Sequence, residues 1–477
     1  MTGRPVLVVG AGPVGLTAAL LLARRGRAVV LVDRHPGSWP LPRAVHLDDE
    51  ALRVLQAAGV AEAFAGVSRS MAGLRLLDAG HRVLVEFARA PGAGVHGWPQ
   101  ASMFDQPDLE RVLLDAVHAH PSVQLRRGTE LTGLRHLPDG VAATVTDRSG
   151  LVSEVVADAL LGCDGEGSTT ARLIGARPVP LARTARWLVV DLRSATPLPV
   201  WPGVHQVCDP QRPATFMPVA GDRYRAEFRL AGDETVADVD LPVLLAGLGV
   251  GDVELVRVAE YRYGASVADR WRAGRVLLCG DAAHLTPPFI GQGLGLGLRD
   301  VHQLVWKLDA VLAGAPDLLL DTHRAEREPH ARALIRLAAL VGWLMSAGGA
   351  RTAVLRRLVL VGLRRVPGVS ARVLASRTPP LRRGLLVRRP RVGPAGPVGV
   401  LLPQPTVAGT RLDDLLGDGW ALLTHGTVLP PLPAGVVPRL LPLASLPDLG
   451  RGLRDRWVLV RPDRVVAAVG PRAGSGR

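Results

Sequence analysis

The sequence predicts an α/β fold in which a parallel-sheet domain is interrupted by a β-sheet domain and followed by a small third domain. Three observations carry that reading. Near the start, Pro5 to Val9 is a short apolar strand that runs through G-A-G-P-V-G into an apolar helix at 14–25. From 178 to 267 the pattern changes to short strands, with candidates at 187–192, 214–218, 224–230 and 253–263. At 274–307, GRVLLCGDAAHLTPPFIGQGLGLGLRDVHQLVWK, the chain returns to a buried strand, a proline-stiffened turn, a glycine ladder and a helix in succession. A sheet that interrupts a ligand-binding domain is most simply a substrate domain laid over the ligand.

At 477 residues the chain is too long for one core. The expected division is a first domain at 1–177, with a substrate-domain excursion at about 68–98, and the β-sheet domain at 178–267. The first domain then resumes over 268–376, a Pro-, Gly- and Arg-rich linker covers 377–397, and a tail domain fills 398–477. The net charge of +14 suggests a nucleic-acid or membrane partner only if it is clustered. It is not: the arginines are scattered and Lys307 is the only lysine, so neither nucleic acid nor stable membrane insertion is expected. Basic helices at 322–339 and 350–365 interleave charge with core positions and read as solvated faces. Cys163, Cys208 and Cys279 have no metal-ligand spacing and read as buried thiols in a reducing compartment, which, with no secretion leader in view, makes the expected location cytoplasmic. No metal site is expected.

The first glycine-rich turn is a Rossmann-like dinucleotide fingerprint. Gly10 makes the tight turn, Gly12 lets backbone approach a pyrophosphate, and Gly15 lets helix and strand pack closely, with Pro13 and Val14 opening the helix between them. A second apolar strand, 28–32, ends at Asp33, eighteen residues after Gly15, where an acid would accept ribose hydroxyls; Arg34 follows it. Arg43, just before a helix starting near Asp48, is either a phosphate ligand or a solvated loop residue. Gln106 opens another helix and either bonds a ligand or caps the turn. Asp164 closes a buried strand, 159–163, and Gly280-Asp281 closes another, placing carboxylates at the sheet edge where open α/β sheets bind ligands. After Pro287 and Pro288, the glycines Gly291, Gly293, Gly295 and Gly297 remove side chains from alternate positions, leaving a bare surface for a flat ligand. A helix from about Leu296 to Leu312 would aim its N-terminal dipole there.

Taken together, GAGPVG with Asp33, GCDGEGS at 162–168 and GRVLLCGDAAHLTPPFIGQG resemble the FAD-dependent aromatic hydroxylases of the para-hydroxybenzoate hydroxylase fold. The resemblance spans nearly the whole chain. PRAVHLDDEALRVLQ and QPDLERVLL are most similar to the 3-(3-hydroxyphenyl)propionate hydroxylase branch, close to hydroxylases of aromatic polyketides. LDDLLGDGWALL and WVLVRPDRVVA resemble that branch's C-terminal thioredoxin-like domain, here without a CxxC pair.

The resemblance implies an FAD with its adenine ribose at Asp33, its pyrophosphate on Gly10 to Gly15, Arg43 and Gln106 at the phosphates and ribityl chain, and Asp281 at a ribityl hydroxyl. Pro288 to Gly295 would border the flavin ring, with the Leu294 and Gly295 N–H groups near its N1 side. NADH or NADPH would reduce the flavin, and O2 would be activated as a flavin C4a-hydroperoxide to hydroxylate a phenolic or polyketide-type small aromatic substrate. A homodimer is the candidate assembly. Alternatives on the same scaffold are Baeyer–Villiger oxidation, epoxidation and dehydrogenation, and a remoter one is a non-catalytic basic binding protein. The chain departs from the family in three places: Ala171 stands three residues after Ser168 with the arginine displaced to Arg172, Gly295 replaces a frequent Asn, and Gly264 falls where relatives carry a side chain. No His–carboxylate pair in the β domain stands out as a base; Tyr224, Tyr261, Tyr263 and His205 are candidates by composition alone.

Overall fold

The computed structural model describes residues 3–38, 44–182, 184–346, 380–381, 396–424, 432, 435–446, 449, 453 and 456–471. Arg43, the basic helix expected at 350–365 and most of the expected linker lie outside them. The first sheet has six strands in the order Arg272–Ala273, Val276–Leu278, Ala159–Gly162, Val6–Val9, Val29–Asp33, Val123–Arg127, all parallel except the first. Its strands are buried on both faces, as parallel strands are. Val6, Val8, Leu31, Leu161 and Leu277 pack under the helices, while Leu7, Val9, Val30, Leu160 and Leu278 face the antiparallel sheet formed by Thr129–Leu137, Gly140–Asp147 and Val152–Ala157. The two-residue period of the strand assigns each set to its layer.

A second, seven-stranded sheet runs Glu254–Tyr263, Ala185–Arg193, Arg223–Arg229, Ala214–Pro218, Val204–Val207, Gly73–Leu77, Val83–Ala88. Two of its strands thus come from the segment before residue 98, and the rest from the later insertion. The insertion also holds a helix, Leu241–Gly247, which the strand-only expectation missed. Its signal is local: the Asp240 side chain accepts from the Val243 N–H, and proline occupies the first turn. The expected helix at 322–339 is one longer helix, Asp321–Ser346, continuing through Pro329.

The C-terminal region is a four-stranded sheet in the order Arg439–Pro442, Ala421–Thr424, Arg456–Val460, Val466–Pro471, parallel in the first pairing and antiparallel in the other two. Buried charge ties it to the first domain. Arg53 forks onto both oxygens of Asp413 at 2.7 and 2.8 Å and donates to the Leu402 carbonyl. Glu326 accepts from Lys307 at 3.0 Å and Arg461 at 2.9 Å, and Arg461 also pairs with Asp463.

These groups are among the most buried in the chain, so removing one partner strands the others. Burial alone would push the Glu326 carboxyl up, but Arg461 and Lys307 outweigh it and hold it at about 2. Glu326→Gln is expected to cost ~3–5 kcal/mol near neutral pH, measured by denaturant unfolding. Because the folded carboxyl titrates below its ordinary value of 4.5, the advantage of wild type over Glu326→Gln is full above that value and disappears as pH falls towards about 2. A difference that persisted unchanged through that window would contradict the assignment.

Candidate active site

A cavity of about 370 Å³ lies between the carboxyl edge of the parallel sheet and the inner face of the seven-stranded sheet. Gly12, Pro13, Val14, Gln106, Asp281, Pro288, Gly291, Gly293 and Leu294 line it. Gly10, Gly15, Asp33, Arg34, Asp164, Gly280 and Gly295 are not among its lining residues.

The supporting roles are specific. A Cβ on Gly10, whose φ is +99°, would fall 2.4 Å from the Cys163 carbonyl oxygen, and one on Gly15 would fall 1.8 Å from the Gly10 carbonyl oxygen. Gly12 is different: a Cβ there meets nothing within 4 Å. It is also the N-cap of helix Pro13–Arg24 and supplies no side-chain cap, so the helix start faces open space with its first N–H groups. Asp33 accepts from the Ala11 N–H at 2.6 Å and the His35 N–H at 2.7 Å, which fixes its carboxylate and leaves further lone pairs for a hydroxyl. Arg34 is exposed beside His35. An uncapped helix start over a bare glycine, with an oriented acid on the next strand, fits an adenine dinucleotide.

Asp164 has a mainly local task. Its two oxygens accept from Ser168 Oγ at 2.5 Å and from Thr170 Oγ1 at 3.0 Å, holding the start of the short helix Thr169–Leu173. Its neighbours Gly165 and Glu166 reach the cavity instead. Ala171 donates its N–H to Ser168 Oγ, and Arg172 is exposed and bonded to Thr169. Gln106 accepts from the Ala44 N–H at 2.9 Å and donates to Glu110, so it fastens the segment after Arg43 to its own helix.

The glycine ladder does not form the single bare surface expected of it. Gly291 turns the chain at φ +62°, and helix Gly293–Leu312 begins there, three residues earlier than expected. On a helix, alternate residues point to different sides. A Cβ on Gly293 would approach only Thr286, at 3.9 Å, whereas one on Gly295 would fall 2.8 Å from the Arg299 guanidinium and one on Gly297 2.7 Å from Val14. Only the first part of the ladder borders the cavity; Gly295 and Gly297 serve helix packing. Gly280, at φ +62°, likewise lies against Val14 and Gly297.

The opposite wall was not legible in the sequence. Met71, Leu74, Met103, Met217 and Phe289 give it apolar surface, and Gln206, Arg225, Glu227, Arg257, Tyr261 and Tyr263 give it polar groups. Asp191 pairs with Arg225 at 2.7 Å and with Arg257. The Tyr263 hydroxyl points to Glu227 Oε2 at 3.4 Å. His46, also unforeseen, sets Nδ1 3.2 Å from the Gly291 carbonyl; burial and Arg89 pull its pKa down to about 4. Of the tyrosines and histidine considered by composition, Tyr261 and Tyr263 reach the cavity, while Tyr224 bonds the Leu198 N–H and His205 contacts the Trp201 carbonyl.

Known proteins agree with this geometry. A family model described as an FAD binding domain matches residues 4–338. The chain is 35% identical over 427 residues to a probable NADH-specific resorcinol 4-hydroxylase of Rhodococcus jostii (strain RHA1), covering 88% of this chain and 79% of that protein. It is 37% identical over 434 residues to a 3-(3-hydroxy-phenyl)propionate/3-hydroxycinnamic acid hydroxylase of Mycolicibacterium smegmatis, covering 88% and 76%. A crystal structure of aklavinone-11 hydroxylase in a ternary complex with FAD and aklavinone matches with a TM-score of 0.79 at 26% identity, over 100% of this chain and 97% of that one. With a cradle suited to an adenine dinucleotide and an aromatic-lined cavity at its end, the chain belongs to the FAD-binding domain family, among the FAD-dependent aromatic hydroxylases.

Proposed function

We propose that this enzyme hydroxylates a phenolic or polyketide-type aromatic ring at the inner end of the cavity, using NADH or NADPH and O2. The observation that carries the substrate class is the wall itself: methionines and aromatic rings line the space together with a few buried polar groups. FAD, when bound, supplies the electron transfer and oxygen activation. The protein's part is to hold the dinucleotide along Gly12 to Val14 and Asp33, to seat the ring system against Pro288 to Leu294, and to keep water from the reacting ring. Asp281 and Gln106 also line the cavity and are the side chains assigned to the ribityl and phosphate part of the cofactor.

The same reading assigns residues 1–177 and 268–376 to the FAD-binding domain and 178–267, with the excursion at 68–98, to the substrate domain. For 398–477 the strand order supports a thioredoxin-like fold: Ala421–Thr424 stands between a parallel and an antiparallel neighbour, with the last strand outside the latter. That region holds no cysteine, so its role is structural rather than redox. No helix among the described residues is long and apolar enough to cross a membrane.

Purified enzyme supplied with FAD is expected to consume O2 and oxidise NADH or NADPH when given resorcinol or 3-(3-hydroxyphenyl)propionate, and to yield hydroxylated product. Oxygenated product from cyclic ketones alone would replace hydroxylation with Baeyer–Villiger chemistry. Gly12→Ala tests the dinucleotide seat separately. Its backbone lies in the extended region, at φ −76°, and its Cβ points into open space, so the fold should survive while FAD affinity falls about tenfold, a cost of ~1.4 kcal/mol. Gly10→Ala, strained at φ +99° and in collision with Cys163, should instead lower the thermal midpoint of the FAD-free protein.

A further inference from the structure

We propose that Tyr263 and Glu227 form the route by which the substrate's phenolic proton leaves the ring. The Tyr263 hydroxyl oxygen takes the phenol proton while its own proton passes to the Glu227 carboxylate. The phenol O–H bond breaks, a carboxyl O–H bond forms, and no electrons are exchanged; the electron pair left on the phenolate oxygen enriches the ring for attack. This inference rests on the phenolic reading of the substrate given above.

Geometry carries the assignment. Both side chains line the cavity, and the Tyr263 hydroxyl donates towards Glu227 Oε2 at 3.4 Å, a long contact of the kind that tightens when substrate binds. Tyr263 packs among three rings, Tyr261 at 5.0 Å, Trp187 at 6.1 Å and Phe289 at 6.3 Å between centroids. Glu227 lies on strand Arg223–Arg229, and the charges around it come from its two paired strands and from the edge strand beyond Ala185–Arg193. Strand Ala185–Arg193 brings Asp191, strand Ala214–Pro218 brings the uncharged Thr215 opposite Glu227, and strand Glu254–Tyr263 brings Arg257, Glu260, Tyr261, Arg262 and Tyr263. Glu260 is engaged by Arg186 at 2.6 Å. Arg225 and Arg257 share Asp191, so the quartet with ionised Glu227 sums to zero.

That sum is what suits the step. When Glu227 takes a proton the quartet becomes +1, and the phenolate beside it is −1, so the transfer moves charge within the cavity without adding any. The titration directions agree. Burial raises the Glu227 carboxyl, with Arg225 opposing, and burial together with the Glu227 charge raises the Tyr263 hydroxyl, which therefore stays protonated as a relay.

The test compares wild-type holoenzyme, Glu227→Gln, Tyr263→Phe and the double variant, with resorcinol and 3-(3-hydroxyphenyl)propionate as probes. Each single variant is expected to lose about 10²-fold in product turnover near neutral pH, the ordinary worth of general-base help, with KM little changed. The loss should fade as pH approaches the phenol's own pKa, about 10, and the double variant should lose no more than either single one. A loss equal at every pH, or a wild-type pH profile in both variants, overturns the relay. A measurement on wild type alone covers variants that do not fold. At about pH 6, bound 4-nitrophenol should show phenolate absorbance with no proton released to the medium; one proton released per ligand, or no phenolate, overturns the relay. Wild type that binds and ionises nitrophenol in this way but hydroxylates no phenol would sink the proposed function and leave the relay standing. Wild type that binds none of these phenols overturns both.

Discussion

The contact between Gly15 and the Gly10 carbonyl oxygen, where any Cβ would intrude to 1.8 Å, sets the distance on which the FAD-binding half is built. It brings helix Pro13–Arg24 down onto its strand. A second bare contact, Gly297 against Gly280 and Val14, brings helix Gly293–Leu312 down beside it. Two helix N-termini therefore open on the same groove, and both aim positive dipole ends and unbonded N–H groups at it. Backbone donors at those two ends suit a ligand with an anionic bridge and an electron-accepting ring. Side chains are left to orient and enclose it.

Helix Gly293–Leu312 would drift if only glycines placed it. Its polar residues are instead buried and paired on several sides: Arg299 with Asp48 and Glu50, Asp300 with His284 and Arg327, and Lys307 with Glu326. Buried ion pairs contribute little net stability, yet a displaced helix would leave each charge without its partner in a low-dielectric interior. Their service is to forbid alternatives. The C-terminal sheet joins the same scheme through Arg461 on Glu326 and Asp413 on Arg53. The excess of arginine, read in the sequence as scattered rather than striped, is thus in good part spent on internal pairs.

The fold was legible because its signals are local and periodic. A glycine turn between strand and helix, strand-end acids and runs of alternating residues each survive in one dimension. The glycine ladder is ambiguous for the same reason: glycines at alternate positions leave one bare surface only if the chain is not helical there, and the helix already begins at Gly293. Asp164 looked like a ligand because of its place at a strand end, while its oxygens hold the turn that follows. The substrate wall was hidden more deeply. Arg225 and Glu227 sit in an alternating strand, RYRAEFR, where polar residues ordinarily face water. Their side is enclosed only once segments from before residue 98 and from around Phe289 close over it.

That enclosure also disfavours a histidine as the base. Burial penalises the charged form of every side chain, so it lowers a histidine and raises a carboxylate. His46, the histidine that lines the cavity among the described residues, is drawn down to about 4 by burial and Arg89, and so has little affinity for a proton there. The same dryness makes Glu227 a better acceptor than it would be in water. A pocket that must exclude water to protect its oxygen chemistry therefore selects, by that exclusion, a carboxylate over an imidazole to receive the phenol's proton.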